Sequence, residues 1–437
     1  MALGNVFMTD VDGNINIKQP PLTEMYCGLL FDISAQKEIW SSEPGSSLVE
    51  KLKDTVVRLD SMEDVAELGL TPRVETGETK NLLAGIPYYH IKSFFDTAAP
   101  GSVLYIAFAD CTSGWGALID MQKAADGMIN QFGVWTEQEL WGAEDSGAYS
   151  LKLVGDIQTV ADSMANEYFS PACVLLSANT SRNTGVLETP EKIVVSKIPS
   201  CKIDARYVSV LLSQNAGTVE RKMQSVLKST TPVGMVGYAL GTLTKAKVSE
   251  SIAWVEQFNL RGSINSIEFG FGDAGKGSGS LLKNSTPYAS LSKAQLNTLD
   301  DKGYIFLCSY EGFSGSFYFN KDNSCSEGDF CTISRNRTIN KSRRLVRGAL
   351  LPYVNSPVKV DPANGNISAA QATIYRNTVS DVLVAMGNAG EISSVGVVNV
   401  PVNQNILVTK TLSFAYSLIP LGCAEAIKVQ EGLAIKR

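Results

Sequence analysis

RNRTINKSRRLVR, residues 335–347, and NQNILVTKTLSFAYSLIPLGCAEAIKVQEGLAIKR, residues 403–437, decide how this chain is organised. The first stretch is basic and contains no acid. In the second, apolar residues recur at or near every second position, a pattern that predicts β-strands. Because several of these runs lack a helix that could cover them, we expect them to join the chain's own sheet or a neighbour's sheet edge. The apolar positions are Ile406, Val408, Leu412, Phe414, Leu418, Ile427, Val429, Leu433 and Ile435.

The N-terminus has a similar strand-like pattern. Val6 and Met8 form one apolar pair, Ile15 and Ile17 form another, and the turn-like sequence Asp12-Gly13-Asn14 separates them. The sequence therefore predicts a strand-forming arm at each end. Whether these arms pair within the chain or between copies decides what the protein does.

Composition excludes several classes of protein. A chain of 437 residues with 44% hydrophobic residues can bury a large core, and it predicts two or three domains. The net charge of -6 argues against general coating of nucleic acid. No apolar run approaches the length needed to cross a bilayer, and the start, MALGN, lacks the features of a secretion signal. Synthesis in a cytoplasm is expected.

The eight cysteines do not form a zinc-binding pattern, because no C-x-x-C pair occurs. Cys27, Cys173 and Cys308 lie inside apolar strand-like runs, where a thiol behaves as a small apolar side chain. Only Cys325 and Cys331 are spaced as a local disulfide would be, and a reducing compartment disfavours that bond. Core cysteines are the favoured interpretation.

Strand and helix patterns alternate along the first 260 residues, and this alternation is typical of parallel pairing. Helices are predicted over 81–95 with a possible kink at Pro87, over the segment carrying Leu153 to Met164, and over 219–227, 247–258, 292–299, 343–353 and 368–386. The predicted strands include 25–33, 55–59, 102–108, 172–176, 207–212, 263–271 and 304–310, and a hairpin is predicted over 313–319.

Catalytic motifs are scarce. The single histidine, His90, lies in an amphipathic helical pattern without an accompanying Ser, Cys or Asp motif, so a structural histidine is favoured. No catalytic residue and no cofactor site is predicted.

Residues 270–276, GFGDAGK, match the spacing G-x-x-x-x-G-K of a phosphate-binding loop. The next position is Gly277 where a Ser or Thr would hold magnesium, and the following glycines oppose the helix that should begin there. A flexible loop is favoured, and an enzyme that uses Lys276 on a phosphate substrate remains the alternative.

Asp10, Asp12 and Asn14 resemble the opening of a calcium-binding loop. However, Gly13 is misplaced, and Pro21 stands where the closing glutamate should be. No metal site is predicted.

Three interpretations of the basic stretch remain open. It could be a solvated helix face, a phosphate-binding surface, or a docking surface for an acidic protein. No aromatic residues are interleaved with the charges, so stacking on nucleic acid bases is not supported. The charged residues are Arg335, Arg337, Lys341, Arg343, Arg344 and Arg347.

The order of these parts resembles the contractile tail sheath proteins of phages and phage-derived injection systems. The resemblance spans most of the chain. It rests on Val56–Gly69, the helix ending at Ile91–Phe95, the strand Ser102–Phe108, the sequence GYIF at 303–306, Arg337-Thr338, the helix Arg343–Val354, a second helix and the strand-rich tail.

The resemblance implies a mixed α/β and α+β, multi-domain subunit with strand-donating N- and C-terminal arms. Its expected parts are an N-terminal arm at 1–20, the first part of the core sheath domain at 21–109, an inserted outer α/β domain at 110–260, a C-terminal core domain at 261–402 and a C-terminal arm at 403–437. It also implies hexameric rings of identical subunits, stacked around an inner tail tube protein and joined by strands from neighbouring arms.

The resemblance further implies a helix facing the tube, with candidate residues Arg337, Lys341, Arg343, Arg344 and Arg347. Baseplate and tail-terminator proteins are further expected partners, whereas membrane insertion and direct nucleic-acid binding are not expected. The expected location is a virion tail or an assembled injection particle. A non-contractile, self-assembling array protein remains a second alternative.

Overall fold

The computed structural model describes residues 24–34, 51–70, 85–143, 149–180, 187–189, 192–193, 195, 198–215, 233–262, 264, 267–269, 286–312 and 315–431. The strands are β1 (Tyr26–Asp32), β2 (Val57–Leu59), β3 (Val103–Ala109), β4 (Gln131–Glu139), β5 (Gly142–Ala143), β6 (Tyr149–Ser150), β7 (Cys173–Asn179), β8 (Leu187–Thr189), β9 (Lys192–Ile193), β10 (Val208–Leu211), β11 (Gln214–Asn215), β12 (Glu268–Phe269), β13 (Thr286–Pro287), β14 (Leu307–Cys308), β15 (Tyr318–Phe319), β16 (Ser394–Asn399) and β17 (Ala415–Ile419). The α-helices are α1 (Met62–Glu67), α2 (Gly85–Thr97), α3 (Ala117–Ala124), α4 (Lys152–Asn166), α5 (Val236–Lys245), α6 (Lys293–Asp301), α7 (Ile333–Leu350), α8 (Ala369–Asn388) and α9 (Ile406–Thr409).

A six-stranded sheet in the order β10-β7-β4-β1-β3-β2 forms the centre of the larger part of the molecule. All its pairs are parallel except that of β2 with β3. Strands β3 and β7 are buried along their whole length, which explains their continuous apolar sequences. The parallel pairing expected from the alternating pattern is confirmed.

Helices cover both faces of this sheet. Alternate residues of β3 point to opposite sides, so Tyr105 packs with α3 and α4 whereas Ile106 packs with α2 and α5. The result is a three-layer arrangement in which the sheet lies between two helical layers.

The sheet crosses the predicted boundary between residues 109 and 110. Strand β1 pairs in parallel with β3 on one side and with β4 on the other. Strands from residues 21–109 and from 110–260 therefore belong to one sheet, and this sheet shows no break at the predicted division.

Helix α2 is described over Gly85–Thr97 and contains Pro87. Residues 81–84 of the predicted helix lie outside the described residues, so a kink or division at Pro87 stays a prediction.

Helix α5 was not expected, because its sequence VGYALGTLTK contains two glycines. These glycines permit close packing against α2: a Cβ atom on Gly237 would lie 2.2 Å from the carbonyl oxygen of His90, and one on Gly241 would lie 2.2 Å from Thr97 Oγ1. The helix predicted over 247–258 is wrong. This segment forms turns, and the carbonyls of Ala246 and Lys247 accept hydrogen bonds from a distant arginine, as described below.

The C-terminal part contains α7, α8 and the two-stranded sheet of β16 and β17. Helix α7 begins at Ile333, earlier than the predicted start at Arg343, because the Thr332 side chain accepts a hydrogen bond from Arg335 N and caps the helix. It therefore includes the whole basic stretch. Helix α8 begins after its cap, Ser368, close to the predicted start.

The tail is only partly strand. Ile406 and Val408, predicted in a strand, belong to the helical turn α9, because Asn405 caps it and accepts a hydrogen bond from Val408 N. Strand β17 pairs with β16 of the same chain. Residues 420–431 form no regular structure.

Candidate assembly surfaces

Helix α7 buries a polar face. Although its sequence is rich in charge, Ile333 and Val346 are accompanied in the interior by polar and charged residues. A buried polar group is costly unless it is hydrogen-bonded, so each of these side chains needs partners. The buried polar residues of α7 are Asn336, Arg337, Thr338, Asn340, Ser342 and Arg344.

Arg337 holds the end of α5. Its guanidinium, only 1% exposed, donates hydrogen bonds to the carbonyl oxygens of Leu243 at 2.9 Å, Ala246 at 3.0 Å and Lys247 at 3.3 Å. The carbonyls of Leu243 and of the C-cap Ala246 lack partners within the helix, whereas Lys247 lies beyond it and its carbonyl also accepts from Glu250 N at 3.0 Å. A cation is favourable at a helix C-terminus. Burial lowers the pKa of Arg337, although Glu24 and other neighbours oppose this shift. The predicted position of Arg337 on an exposed tube-facing surface is wrong.

Arg344 is also buried. Its side chain, 5% exposed, pairs with Glu24, whose side chain is 12% exposed, and donates to the carbonyl oxygen of Pro171 at 3.2 Å. Glu24 is the first described residue of the chain, and its own carbonyl accepts from Gln131 Nε2 at 3.0 Å. Arg344 therefore links α7 to the start of β1 and cannot lie on an exposed surface of this subunit, contrary to the prediction.

The other three candidate basic residues differ in exposure. Lys341 pairs with Glu391, and both side chains are largely buried. Arg343 is half-buried and donates to Tyr207 Oη at 2.8 Å. Arg347 is exposed and lies over the ring of Phe169, 4.6 Å from its centroid. Of the five predicted residues, only Arg347 is thus clearly on the surface, with Arg343 beside it.

Arg343 and Arg347 flank a cleft of about 240 Å³ between α4 and α7. Its apolar lining includes Val346, and the exposed ring of Phe169 forms part of its wall. Phe169 has a φ of 54°, in the left-handed region that residues other than glycine rarely adopt. The cleft places two guanidinium groups beside apolar surface, an arrangement that suits a carboxylate-bearing protein.

The spacing of the α7 residues indicates which face of the helix is buried. Ile333, Arg337, Asn340 and Arg344 recur at helical intervals on one face, and that face is the buried one. A count of charged residues does not reveal this buried face, because a run of charged residues ordinarily indicates a solvent-exposed segment. Arginine can nevertheless be buried when carbonyl or carboxylate groups surround its planar donors.

His90 lies inside the protein, 6.2 Å from the ring centroid of Phe31 and 5.3 Å from that of Tyr89. Burial lowers the pKa of its imidazole to about 3, although a backbone hydrogen bond involving Val233 opposes the shift. The ring is therefore neutral at ordinary pH, which agrees with the structural role favoured from the sequence.

The predicted core positions of Cys27, Cys173 and Cys308 are confirmed, because all three are buried. Burial raises the pKa of Cys173 to about 11 and that of Cys308 to about 12, so these thiols stay protonated. Cys325 is the hydrogen-bonding neighbour of Cys201, and neither Cys325 nor Cys331 is in a disulfide.

Several predictions lie outside the described residues. These are the N-terminal arm with Val6, Met8, Ile15 and Ile17, the calcium-like Asp10, Asp12 and Asn14, the loop of Gly270 to Lys276, the helix over 219–227, and Leu433 and Ile435.

Part of the C-terminal arm packs within its own chain. Phe414 contacts Tyr375 of α8 at a ring-centroid distance of 5.7 Å, and Leu412 and Ile406 pack into the same cluster. Leu418 pairs with Val395 and packs against α8. These positions help to fix the C-terminal part of the subunit itself.

Other tail positions are exposed. Val408 is 77% exposed, Ile427 84% and Val429 81%. In the hairpin of β16 and β17, Val397 and Ile419 also point outward, 69% and 52% exposed. Within the described part of the chain, each strand of this hairpin pairs only with the other, so both outer edges keep unpaired backbone groups.

Within the ranges given above, His, Cys, Asp and Glu side chains form no group of three that could hold a metal ion. None of the described helices combines the length and apolarity required to cross a membrane.

Solved structures with the same fold come from contractile assemblies. One is a chain in the cryo-EM structure of the anti-feeding prophage helical sheath in the contracted state, with 12% identity, 99% of both chains covered and a TM-score of 0.55. Another is a chain of the contracted sheath complex of PVC, an extracellular contractile injection system, with 10% identity, 100% and 98% coverage, and a TM-score of 0.54. A chain of the six-fold symmetrised anti-feeding prophage baseplate matches over 100% of both chains with 12% identity and a TM-score of 0.56.

Sequence comparison with curated proteins gives no match. Two family models do match: residues 45–323 fit the DUF2586 N-terminal domain and residues 329–437 fit the DUF2586 C-terminal domain. The two matches meet just before α7. The chain therefore belongs to the DUF2586 family, and it has the sheath fold found in contractile injection systems.

Proposed function

We propose that this protein is the structural subunit of a contractile sheath, assembling as stacked hexameric rings around an inner tube and contracting to drive that tube through a target envelope. The observation that carries the proposal is the match over nearly the whole chain to sheath structures from two contractile systems. The open-edged hairpin and the exposed apolar tail support it, because both suit strand exchange between copies.

In this proposal, the arms at residues 1–20 and 403–437 join subunits. The outer edges of β16 and β17 are the acceptor sites, and Ile427 and Val429 supply apolar side chains from a neighbour's tail. A five-residue strand would make about five backbone hydrogen bonds, each contributing roughly 0.5 to 1.5 kcal/mol. Each apolar side chain that becomes buried would contribute about 1.5 to 3 kcal/mol. Such links would hold while subunit bodies rotate.

The tube-facing surface in this proposal contains Arg343 and Arg347, at the cleft beside Phe169. Exposed ion pairs contribute about 0 to 1 kcal/mol each, so the contact with the tube would be weak enough to break on contraction. The stored energy of the extended lattice drives contraction without nucleotide hydrolysis by this chain. Baseplate and terminator proteins cap the two ends of the tail or injection particle.

Negative-stain electron microscopy of the purified chain tests this function. Hollow, striated cylinders are expected, whereas flat or closed lattices would favour the array protein. Deletion of residues 1–18 should leave soluble monomers, and normal cylinders from that truncation would contradict the role of the N-terminal arm. ATP turnover that is lost in Lys276→Ala would contradict the assignment as a purely structural protein.

A further inference from the structure

The tail does not leave the subunit directly after β17. Residues 421–427 run beside a groove of about 630 Å³, and Leu421, Cys423 and Ile427 form part of its wall. Trp254 and Tyr310 of the body also line the groove, and both residues are more than one-third exposed. The groove is thus bounded by the body of the subunit and by its own tail.

One side chain fastens this part of the tail. Lys321 Nζ lies 3.0 Å from Glu425 Oε2 in the tail and 2.8 Å from Asp300 Oδ2 in α6. Burial alone would lower the pKa of Lys321, but the hydrogen bonds with Asp300 and Glu425 outweigh this effect and raise it. Lys321 therefore stays charged and bridges the body and the tail.

Other attachments of the tail end at Pro420. Ser393 N donates to the carbonyl oxygen of Ile419 at 2.8 Å, and Ser393 Oγ donates to that of Pro420 at 2.9 Å. Beyond Pro420, the described tail residues form no backbone hydrogen bond with the rest of the described chain. Among the residues that the structure describes, the pair of Lys321 and Glu425 is the one ion pair between this part of the tail and the body.

We propose that the body surface carrying Lys321, Trp254 and Tyr310 is a docking site for this chain's own tail, which Lys321 fastens in the unassembled subunit and releases when a neighbouring subunit takes the tail. The inference rests on the proposed function for the destination of the tail. Its occupant is residues 421–427, because Glu425 supplies the carboxylate that pairs with Lys321, and Leu421, Cys423 and Ile427 line the groove together with Trp254 and Tyr310. The fastening keeps a strand-forming tail from pairing too early.

The ion pair of Lys321 and Glu425 is weak enough for the tail to be released. Lys321 and Glu425 keep 31% and 55% of their side-chain surface in contact with solvent. A pair this exposed shifts a conformational equilibrium by about two- to fivefold, and salt weakens it. A neighbouring sheet edge offers the tail several backbone hydrogen bonds and therefore competes successfully.

Cys423 reports directly on the state of the tail. All eight cysteines are described, and Cys423 is the one exposed thiol, with Cys331 half-buried and the others buried. Its pKa is raised, first by partial burial and then by Asp322 and Glu425. Release of the tail removes the burial and the influence of Asp322, whereas Glu425 stays beside Cys423 in the tail, so alkylation of Cys423 should become faster.

The test measures the rate of maleimide labelling of Cys423 in the unassembled full chain carrying Cys331→Ser. Lys321→Gln and, separately, Glu425→Gln should each raise the rate about two- to fivefold, and high salt should raise the rate of the parent protein. Lys428→Gln is the matched control, because it makes the same substitution within the tail without removing an ion pair found in the structure.

Equal rates in Lys321→Gln, Glu425→Gln, Lys428→Gln and the parent would overturn the proposal. Rates measured over a range of pH separate access of the reagent from ionisation of the thiol. Because labelling is measured before assembly, failure to form cylinders in the microscope would contradict the sheath function and leave the labelling result standing.

Discussion

The guanidinium of Arg337 in α7 donates a 2.9 Å hydrogen bond to the carbonyl oxygen of Leu243, 94 residues earlier in the chain, at the end of α5. Together with the bonds to Ala246 and Lys247, it provides a donor to carbonyls at the C-terminal end of the buried helix α5 and just beyond it. This contact joins the part of the chain matched by the N-terminal family model to the part matched by the C-terminal one.

Arg337→Ala should lower the free energy of unfolding by about 3 to 5 kcal/mol, because it leaves buried carbonyls without donors and opens a cavity. Urea denaturation followed by circular dichroism measures the loss. Arg335→Ala on the exposed side of the same helix is the control and should cost less than about 0.5 kcal/mol. Equal effects of the two substitutions would contradict the capping role of Arg337.

The buried pair of Glu24 and Arg344 should show strong energetic coupling. Glu24→Gln alone should cost about 1 to 3 kcal/mol, because it leaves the buried guanidinium without its carboxylate. Adding Arg344→Met should cost less than the sum of the two single changes, with a coupling energy of about 0.5 to 3 kcal/mol. A double-mutant cycle of unfolding free energies measures this coupling, and strict additivity would show that the pair does not contribute.

Gly237→Ala should destabilise the protein, although alanine is the better helix former by about 1 kcal/mol. The added methyl group would meet the backbone carbonyl of His90 at 2.2 Å, so α2 and α5 would have to separate, at a cost of about 1 to 3 kcal/mol. Gly155→Ala in α4 is the control, because no atom lies within 4 Å of its Cβ position, and it should be neutral or stabilising. Thermal unfolding distinguishes the two variants, and a stabilised Gly237→Ala would contradict the close packing of α2 on α5.

His90 should make stability depend on pH. Burial lowers its pKa from 6.5 to about 3, so the unfolded chain binds the proton first as the pH falls. The contribution of neutral His90 is complete above about pH 6.5 and declines below it by up to about 1.4 kcal/mol per pH unit. This stabilising contribution is lost as the pH approaches about 3, the pKa of His90 in the folded protein.

Denaturation curves between about pH 7 and pH 5 measure this slope, in a range where most carboxylates stay ionised. His90→Leu should abolish it, and the assignment is direct because the chain has one histidine. An unchanged slope in His90→Leu would show that another group is responsible.

The sequence correctly predicted the helices and strands that depend on residues close together along the chain. Strands β1, β3, β7 and β10 are short apolar runs, and Ser292 and Ser368 cap helices at the predicted starts. Helix α5 was not predicted, because its two glycines disfavour a helix locally. They are needed for close packing against α2, which lies far away in the sequence. Local propensity does not contain such a contact.

The exposure predicted for Arg337 and Arg344 was wrong for the same reason. Whether an arginine faces solvent or the interior depends on what the rest of the chain brings to it, and Arg337 and Arg344 are met by carbonyls and a carboxylate from far along the sequence. Arg347, without such a partner in the described chain, stays exposed over Phe169. For the tail, alternation correctly indicated β17, but it could not show that Asn405 would start a helical turn at Ile406.

Within a single turn, helix α7 contacts the first described residue of the chain and the C-terminal strand β17. Arg344 grips Glu24 at the base of the N-terminal segment, and Ser342 Oγ lies 3.1 Å from Tyr416 Oη in the C-terminal hairpin. A force applied through Glu24 or through Tyr416 would therefore act on the same turn of helix α7. A load on Glu24 would be divided between α7 and the six-stranded sheet, because the carbonyl oxygen of Glu24 also accepts a hydrogen bond from Gln131 at the start of β4.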